Sequence, residues 1–395
     1  MENKRVLGIV AEYNPMHNGH IYQLLKCKEE SMSDCVVAVV SGNFTQRGEP
    51  ALLDKWTRTE MAILSGVDLV IELPFYYACN SAEYFASGAV DILNSMGIIT
   101  HLGFGSECGD IEQLKKTAMI LVEESHEFKE NLKKYLDEGH SFPKARQLAA
   151  GEYGTILNEP NNILAIEYLK KLTKESSDII PITVKREKTA YHDENINENI
   201  ASGKGIRKFL RENDNSISLD QVMNSQAAKV LEDAKEFFVF SDSEKYFALL
   251  KSCILRSDKE HLKKIFSITE GLENKIIKEI RNCNSLDQFI ESLKSKRYTR
   301  TMLQRICTHI LLDMKKEQVQ DKYIRVLGFN QKGAALLKRM KKEETCKYPV
   351  ITNINKIEDV DLSLDIRAND IYNMISGRDT YNRSDFVVQP VRIMK

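Results

Sequence analysis

The first part of the chain alternates short, continuously apolar segments with segments of helical periodicity, and this alternation constrains the fold most. The apolar segments are RVLGIVAEY, CVVAVVSG, DLVIELP and ITHLGFG. Between the first two, Ile21, Leu24 and Leu25 share one face of a predicted helix. Strands that are apolar on both faces are typical of a parallel sheet covered by helices on both sides. Because parallel crossovers are right-handed, we predict an α/β fold with a doubly wound, Rossmann-like parallel sheet.

Helical patterns dominate beyond about residue 215, as in SEKYFALLKSCIL, LDQFIESLKS and RTMLQRICTHILLDM. A strand–helix–strand pattern, YIRVLGF, AALLKRMKK and YPVITNI, follows them. A chain of 395 residues is long enough for two domains with separate cores. We therefore predict an α/β domain over residues 1–215 and a mostly helical, basic domain over residues 216–395.

The composition excludes some classes of protein. It is 42% hydrophobic and 29% charged with a formal net charge of -1, which is ordinary for a globular protein. No apolar run is long enough to span a bilayer, and the N-terminal segment lacks the cleavage pattern of a signal peptide. The eight cysteines are dispersed without a C-x-x-C pair, which favours reduced thiols over disulfides or a zinc site. We expect a cytoplasmic protein that has no membrane segment.

The stretch EYNPMHNGH, residues 12–20, lies where the first predicted strand gives way to a helix. Ligands of open α/β sheets bind beyond the carboxyl ends of the strands, where this stretch falls. A helix N-terminus offers unpaired N–H groups and a positive dipole end, and Gly19 permits close approach of a ligand. With His17 and His20, these groups predict a phosphate site that stabilises charge developing in a transition state. The alternative is that His17 only caps the turn and His20 packs at the helix start.

The pattern N-P-x-H-x-G-H resembles the signature of the HIGH-type nucleotidyltransferase superfamily, which includes nucleotide adenylyltransferases and class I aminoacyl-tRNA synthetases. The matching residues are Asn14, Pro15, His17, Gly19 and His20. A second signature of the superfamily, S-T-x-I-R, resembles IASGKGIR at residues 200–207, although Lys204 replaces the usual threonine. The resemblance implies that this second segment holds the triphosphate, and an ordinary glycine-rich helix start is the alternative.

Further segments resemble the bacterial tRNA(Met) cytidine acetate ligase family in their joint order along the chain. These segments are SGNFTQRGEPALLDKW, DLVIELP, GFGSE, EPNNILAIEYL, KREKTAYHD, EGLENKI and LKSKRYTRTMLQRI. The resemblance implies that ATP and acetate form acetyl-adenylate, with Mg²⁺ on the phosphates. The acetyl group then passes to the exocyclic amine of the wobble cytidine of elongator tRNA(Met), which forms N4-acetylcytidine.

The resemblance also implies an ATP site built from the first strand end, the histidine stretch, a glycine turn, a helix start and a late strand end. The implied residues are Val10, Ala11, Glu12, Tyr13, Asn14, Pro15, Met16, His17, Asn18, Gly19, His20, Gly105, Asn161 or its neighbour Asn162, Arg186, Ser202 and Arg207. Among them, His17 and His20 are the implied catalytic residues, and no protein ligand for a metal is predicted.

Other polar residues near this rim remain open at the level of sequence. Asn161 and Asn162 follow Pro160 at a helix start, where the alternative to ligand contact is that both cap the helix. For Lys55, Arg58 and residues 41–43, the sequence does not distinguish contact with a ligand from a role in loop architecture. We interpret His101 and His192 as structural histidines rather than catalytic ones.

The segment from Lys294 to Lys342 contains fourteen lysines and arginines but only three acidic residues. Such an excess, with Tyr298 and Phe329 interspersed, is typical of a surface that binds a nucleic-acid backbone. The predicted tRNA-binding residues are Lys294, Lys296, Arg297, Arg300 and Arg305. The alternative is a solvated helix face matched by acidic residues elsewhere.

Two other functions compete with the ligase interpretation. One is an adenylyltransferase that transfers AMP to a small metabolite without RNA, which leaves the basic helical part without a purpose. The other is a non-catalytic, nucleotide-sensing RNA-binding protein. Such a protein is expected to lose the two histidines, but both are present in the sequence. Neither is favoured, but the nucleotidyltransferase signature alone does not identify the acceptor.

Overall fold

The computed structural model describes residues 4–186, 202–212, 218–241, 243–295, 297–318 and 320–394. The strands are β1 (Val6–Ala11), β2 (Cys35–Ser41), β3 (Leu69–Leu73), β4 (His101–Ser106), β5 (Ile180–Lys185), β6 (Ile324–Asn330), β7 (Val350–Ile351) and β8 (Val391–Ile393). The helices up to β5 are α1 (Asn18–Ser31), α2 (Lys55–Leu64), α3 (Phe75–Ala78), α4 (Ala82–Ser95), α5 (Ile111–Glu123), α6 (His126–Asp137), α7 (Phe142–Ala149) and α8 (Pro160–Lys174).

The later helices are α9 (Gly203–Glu212), α10 (Ser225–Asp233), α11 (Glu244–Arg256), α12 (Lys259–Lys264), α13 (Leu272–Glu279), α14 (Leu286–Leu293), α15 (Arg300–Leu311), α16 (Gln331–Glu343) and α17 (Ser363–Ser376). Short 3-10 turns lie at Gly151–Asn158, Leu219–Gln221, Lys235–Phe237, Ile280–Asn282 and Ile354–Lys356. None of the helices in the described residues is both long and apolar enough to cross a membrane.

Within the described residues the strands form a single sheet in the order β5-β4-β1-β2-β3-β6-β7, and β8 also pairs with β6. Strands β1 to β5 pair in parallel, which confirms the predicted doubly wound α/β class. The chain passes from β1 through β2 to β3 on one side, and then places β4 on the other side of β1. This reversal creates a crevice beyond the carboxyl ends of β1 and β4, the usual place for a ligand in such sheets.

The sheet also includes strands from the second half of the chain. Strand β6 pairs antiparallel with β3, so that Leu69 lies opposite Phe329, and β7 and β8 pair in parallel with β6. The strand–helix–strand pattern predicted there is confirmed as β6, α16 and β7. Its attachment to the first sheet was not predicted, because a local pattern does not specify a partner strand. The division into an α/β domain over residues 1–215 and a mostly helical domain over residues 216–395 stays a prediction.

Alternate residues of the central strands pack on opposite faces of the sheet, as the pleat requires. In β2, Val37 and Val39 belong to the core under α4, α5 and α8, whereas Val36 and Val40 face the core under α1 and α2. A separate core of buried side chains joins α11, α13, α14, α15 and α17. These cores hold the ends of β1 and β4 in a fixed frame for the site.

Candidate active site

The histidine segment, residues 12–20, crosses the carboxyl end of β1 and leads into α1. Tyr13 adopts φ 48°, in the left-handed region, and the Asn14–Pro15 peptide bond is cis. The side chains of Tyr13 and Met16 are only 2% and 1% exposed, because both pack into the core below α1. These two anchors hold the turn from below, and the helix begins at Asn18.

The two histidines form a reciprocal cap at the start of α1. The Nδ1 atom of His17 accepts the backbone N–H of Gly19 at 3.1 Å, and the Nδ1 atom of His20 accepts the N–H of His17 at 3.3 Å. A neutral imidazole that accepts at Nδ1 carries its hydrogen on Nε2. Capping, the structural alternative for His17, is therefore observed, but it also directs an Nε2–H donor of each ring away from the helix backbone.

Burial keeps both rings neutral. Burial, together with the nearby Arg186 and Arg207 guanidinium groups, lowers the pKa of His17 to about 3. Burial likewise lowers the pKa of His20 well below its usual value, with contributions from His17 and Arg186. The ring centroids of the two histidines are 3.9 Å apart. The site therefore offers two adjacent neutral donors, with positive charge from two arginines close by.

The N-terminus of α9 packs directly on the histidine segment, so the two sequence signatures meet in space. The Ser202 hydroxyl oxygen accepts the N–H of Gly205 at 3.0 Å and caps α9. Arg207 donates from Nη1 to the carbonyl oxygen of Asn14 at 2.5 Å. A side chain at Gly203 would place its Cβ 3.1 Å from the same oxygen. This contact is tight, so glycine eases the approach of the two backbones.

The remaining rim residues lie at the ends of β4 and β5 and at the start of α8. The alternative to ligand contact, in which Asn161 and Asn162 both cap their own helix, is not observed, because the Glu107 carboxylate accepts the N–H groups of both residues. Asn162 is 3% exposed, and its Oδ1 accepts the N–H groups of Glu107 and Cys108 at 2.9 and 3.1 Å. Its side chain therefore holds a loop, whereas Asn161 is half-buried and contacts Arg186 at 3.3 Å. A contact of either residue with ATP stays a prediction.

The structure resolves the alternatives for Lys55 and Arg58, which are both 1% exposed. Lys55 forms ion pairs with Glu72 at 2.9 Å and with Asp385 at 2.8 Å. The Arg58 guanidinium donates to main-chain carbonyl oxygens at the ends of β1 and β2, including that of Glu12 at 2.6 Å. These contacts show that both side chains serve loop architecture.

The loop between β2 and α2 connects the histidine segment to the helical core, and the sequence did not predict this link. The N–H of Gln46 donates to the Glu12 carboxylate at 2.7 Å. Two residues further along the loop, the carbonyl oxygen of Gly48 accepts a hydrogen bond from the Thr308 hydroxyl of α15 at 2.7 Å. The contact of the loop with α15 joins residues more than 250 positions apart, so no local pattern announces it.

The five predicted tRNA-binding residues differ in their surroundings. Lys294 and Arg300 pair with Glu291 of α14, at 3.4 and 3.2 Å. Arg297 is exposed, with its guanidinium 5.5 Å from the centre of the Tyr298 ring. Arg305 is half-buried, and burial lowers the pKa of its guanidinium. Lys296 lies outside the described residues.

Part of the positive charge counted along the segment from Lys294 to Lys342 is neutralised by acidic residues from elsewhere in the fold. Arg325, inside the basic segment, is buried against Asp385, and Lys322 pairs with Asp91 at 2.9 Å. Both acidic partners lie outside the segment 294–342. In the described part of the chain, no three histidine, cysteine, aspartate or glutamate side chains form a metal-binding group.

Comparison with known proteins places these features in context. Residues 4–385 match the family model described as HIGH Nucleotidyl Transferase. The tRNA(Met) cytidine acetate ligase of Clostridium perfringens strain SM101 is 44% identical, covering 98% of this chain and 99% of that protein. The enzyme of the same name from Caldicellulosiruptor saccharolyticus is also 44% identical, covering 93% of each chain.

This chain is also similar to solved crystal structures over nearly its whole length. The apo crystal structure of Thermotoga maritima TmcAL has 32% sequence identity and a TM-score of 0.90, covering 99% of this chain and 100% of that one. A second crystal form of that protein, bound with alpha-thio ATP, has a TM-score of 0.88 at the same coverage.

Proposed function

The chain belongs to the HIGH nucleotidyltransferase family and, within it, to the tRNA(Met) cytidine acetate ligase family, and from that premise we propose that it acetylates a tRNA cytidine. ATP activates acetate as acetyl-adenylate, and the acetyl group is transferred to the exocyclic amine of the wobble cytidine of elongator tRNA(Met). The product is N4-acetylcytidine. The observation that carries the proposal is the pair of neutral histidine donors beside the α9 N-terminus, at the reversal point of the sheet.

In the first step an acetate oxygen attacks the α-phosphorus of ATP, and the bond to the β-phosphate oxygen breaks to release pyrophosphate. Acetate is already ionised at neutral pH and needs no general base. Negative charge grows on the α-phosphate oxygens, where the Nε2–H groups of His17 and His20 donate hydrogen bonds. Because their pKa values are lowered, these rings are neutral donors and take no part in proton transfer. Catalysis then depends on positioning and charge stabilisation.

In the second step the cytidine amine attacks the acetyl carbonyl carbon. The bond to the AMP oxygen breaks, AMP leaves with one of the original acetate oxygens, and the amine releases a proton. Acyl-adenylates hydrolyse, so the site must exclude water until the base arrives. The anticodon loop supplies an unstacked base at low cost.

The rim residues and the basic surface complete the proposal. Gly105, Arg186 and the α9 residues Ser202 and Arg207 surround the nucleotide, and Mg²⁺ accompanies the triphosphate. Elongator tRNA(Met) contacts the surface around Arg297 and Arg300. Cytoplasmic location is part of this proposal and rests on the dispersed cysteines.

The competing function is transfer of AMP to a small metabolite. Resemblance to relatives named as acetate ligases over nearly the whole chain favours the RNA-dependent function. A metabolite adenylyltransferase also gives no role to the separate helical core of α11, α13, α14, α15 and α17. The two functions differ in their products, which makes them separable in one assay.

The test is to incubate the protein with ATP, Mg²⁺, acetate and transcribed elongator tRNA(Met), and to analyse the tRNA nucleosides by mass spectrometry. We expect N4-acetylcytidine that requires both ATP and acetate and is lost in His17→Ala and His20→Ala. His126→Ala is the matched control, because His126 is 88% exposed on α6 and its variant should retain full activity. Absence of acetylcytidine with folded protein would contradict the proposal and redirect attention to small-molecule acceptors.

A further inference from the structure

Glu107 connects three elements at the rim of the proposed ATP site. It follows β4 directly, and its carboxylate lies at the N-terminus of α8. Oε1 accepts the backbone N–H of Asn161 at 3.3 Å and its side-chain Nδ2–H at 2.6 Å. Oε2 accepts the N–H of Asn162 at 2.8 Å. A carboxylate at this position satisfies unpaired helix N–H groups and lies at the favourable end of the dipole.

The contact between Glu107 and Asn161 fixes the orientation of the Asn161 amide. Because Nδ2 donates to the carboxylate, the amide oxygen faces the other way, toward Arg186. The Arg186 Nη1 atom donates to that oxygen at 3.3 Å. The backbone of Arg186 is fixed independently, since its N–H donates to the Ser106 carbonyl oxygen at 2.9 Å. The Asn161 amide therefore orients the Arg186 guanidinium, whereas the Arg186 main chain is held by Ser106.

The stem of Arg186 lies over the glycine turn for which the family resemblance implies ATP binding. A Cβ added at Gly105 would be 3.1 Å from the Arg186 Cγ atom. Among the residues that the structure describes, Arg186 has no ion pair with a carboxylate, although Glu107 follows the neighbouring strand. The Glu107 charge is directed to the α8 N-terminus instead, and a neutral amide separates it from the guanidinium. Arg186 thus keeps a positive charge that remains available to an anion.

We propose that Glu107 is a positioning residue for ATP, which holds the Arg186 guanidinium at the nucleotide site through the Asn161 amide. This inference rests on the proposed ATP-dependent function. The Arg186 charge also lowers the pKa values of His17 and His20, so it acts on the proposed phosphate-binding donors. In Glu107→Gln an NH₂ group replaces one carboxylate oxygen, so at least one N–H group of Asn161 or Asn162 faces a donor instead of an acceptor.

The test measures the dissociation constant for ATP directly by titration calorimetry, in the absence of tRNA. Glu107→Gln should weaken ATP binding by about tenfold, because Arg186 loses its fixed orientation. The matched control is Glu112→Gln, since Glu112 lies in the first turn of α5 and pairs with Lys115 on an exposed surface. That control should bind ATP as the unmodified protein does.

A double-mutant cycle separates positioning from a purely structural role. If Glu107 acts through Arg186, the variant carrying both Glu107→Gln and Arg186→Gln binds ATP no more weakly than Arg186→Gln alone. Effects that multiply, or Glu107→Gln binding within twofold of the unmodified protein, would overturn the inference. Should Glu107→Gln fail to fold, Glu107→Asp replaces it in the cycle with the same expectations, because the shorter side chain withdraws the carboxylate from the Asn161 amide.

The failure of this inference is distinguishable from failure of the proposed function. An unmodified protein that binds ATP but forms no acetylcytidine contradicts the proposed function alone. Normal acetylcytidine formation together with multiplicative effects on ATP binding contradicts the positioning role alone.

Discussion

The Nδ1 atom of His20 accepts the backbone N–H of His17 at 3.3 Å, which ties the second histidine of the segment to the first. His17 in turn accepts the N–H of Gly19, so the helix start and the two rings are one hydrogen-bonded unit. This relationship fixes the tautomer of both rings when they are neutral. Each presents an Nε2–H donor, which is the form required to stabilise charge on a phosphate.

Adenylate formation should be insensitive to pH between 6 and 8. The pKa of His17 is lowered to about 3 and that of His20 well below 6.5, so neither ring gains a proton in this range. Because the unfolded chain binds these protons below pH 6.5 and the folded chain does not, stability declines as pH falls from 6.5 towards 3. The rate of acetate-dependent pyrophosphate exchange into ATP measures the first step.

The histidine variants provide the comparison for this pH profile. His17→Asn removes the Nε2–H donor and should reduce the exchange rate by roughly 10²–10³ at pH 7. An inflection near pH 6.5 that is present in the unmodified protein and absent in His17→Asn would show instead that a protonated His17 acts in catalysis.

Gly48→Ala should destabilise the protein more than Gly139→Ala does. Both glycines have positive φ, at 80° and 85°, so alanine is strained in each by about 1–2 kcal/mol. At Gly48 the new Cβ would be only 2.4 Å from the Arg305 backbone nitrogen, whereas nothing lies within 4 Å at Gly139. The crowding should add about 1–3 kcal/mol to the loss in Gly48→Ala. Equal free energies of unfolding in the two variants would contradict the close packing of the loop on α15.

Lys55→Met should lower the free energy of unfolding by about 3–5 kcal/mol, because it leaves Glu72 and Asp385 buried without their shared cation. Lys26→Met removes an exposed pair with Glu29 and should cost less than about 1 kcal/mol. Urea denaturation of both variants measures the difference. A Lys55→Met cost as small as that of Lys26→Met would mean that the buried charges are compensated by other groups.

Arg297→Gln should weaken tRNA binding and make it less dependent on salt. Arg297 is exposed in the connection between α14 and α15, and one lost phosphate contact should reduce the slope of log K against log salt by about one. Pyrophosphate exchange without tRNA should not change. Lys115→Gln, on α5 and outside the basic segment, is the control. Equal salt slopes for Arg297→Gln and the unmodified protein would place the tRNA elsewhere.

The strands of the first half were predictable because their runs are apolar on both faces, a pattern that few other elements share. The histidine segment was predictable as well, because a strand end followed by this motif has a defined place in an α/β sheet. By contrast, the antiparallel addition of β6 to β3 depends on pairing between Leu69 and Phe329, which no local period encodes.

Glu107 illustrates why parts of the candidate site could not be predicted. Its role depends on Asn161, which lies 54 residues later and is brought to it by the packing of α8 against β4. For the basic segment the sequence misleads in the opposite way, because residues that are close in the sequence do not all add their charge to one surface. Arg325 and Lys322 contribute to the count, yet their charges are met by Asp385 and Asp91 from distant elements.

The central claim is that acetate attacks the α-phosphate of ATP, and acetate labelled with ¹⁸O in both oxygens tests it most directly. The protein is incubated with ATP, Mg²⁺, labelled acetate and elongator tRNA(Met), and the AMP, pyrophosphate and tRNA nucleosides are analysed by mass spectrometry. We predict AMP and N4-acetylcytidine that each contain one ¹⁸O atom, with unlabelled pyrophosphate. Acetylcytidine formed alongside unlabelled AMP, or label in pyrophosphate, would contradict an acetyl-adenylate intermediate.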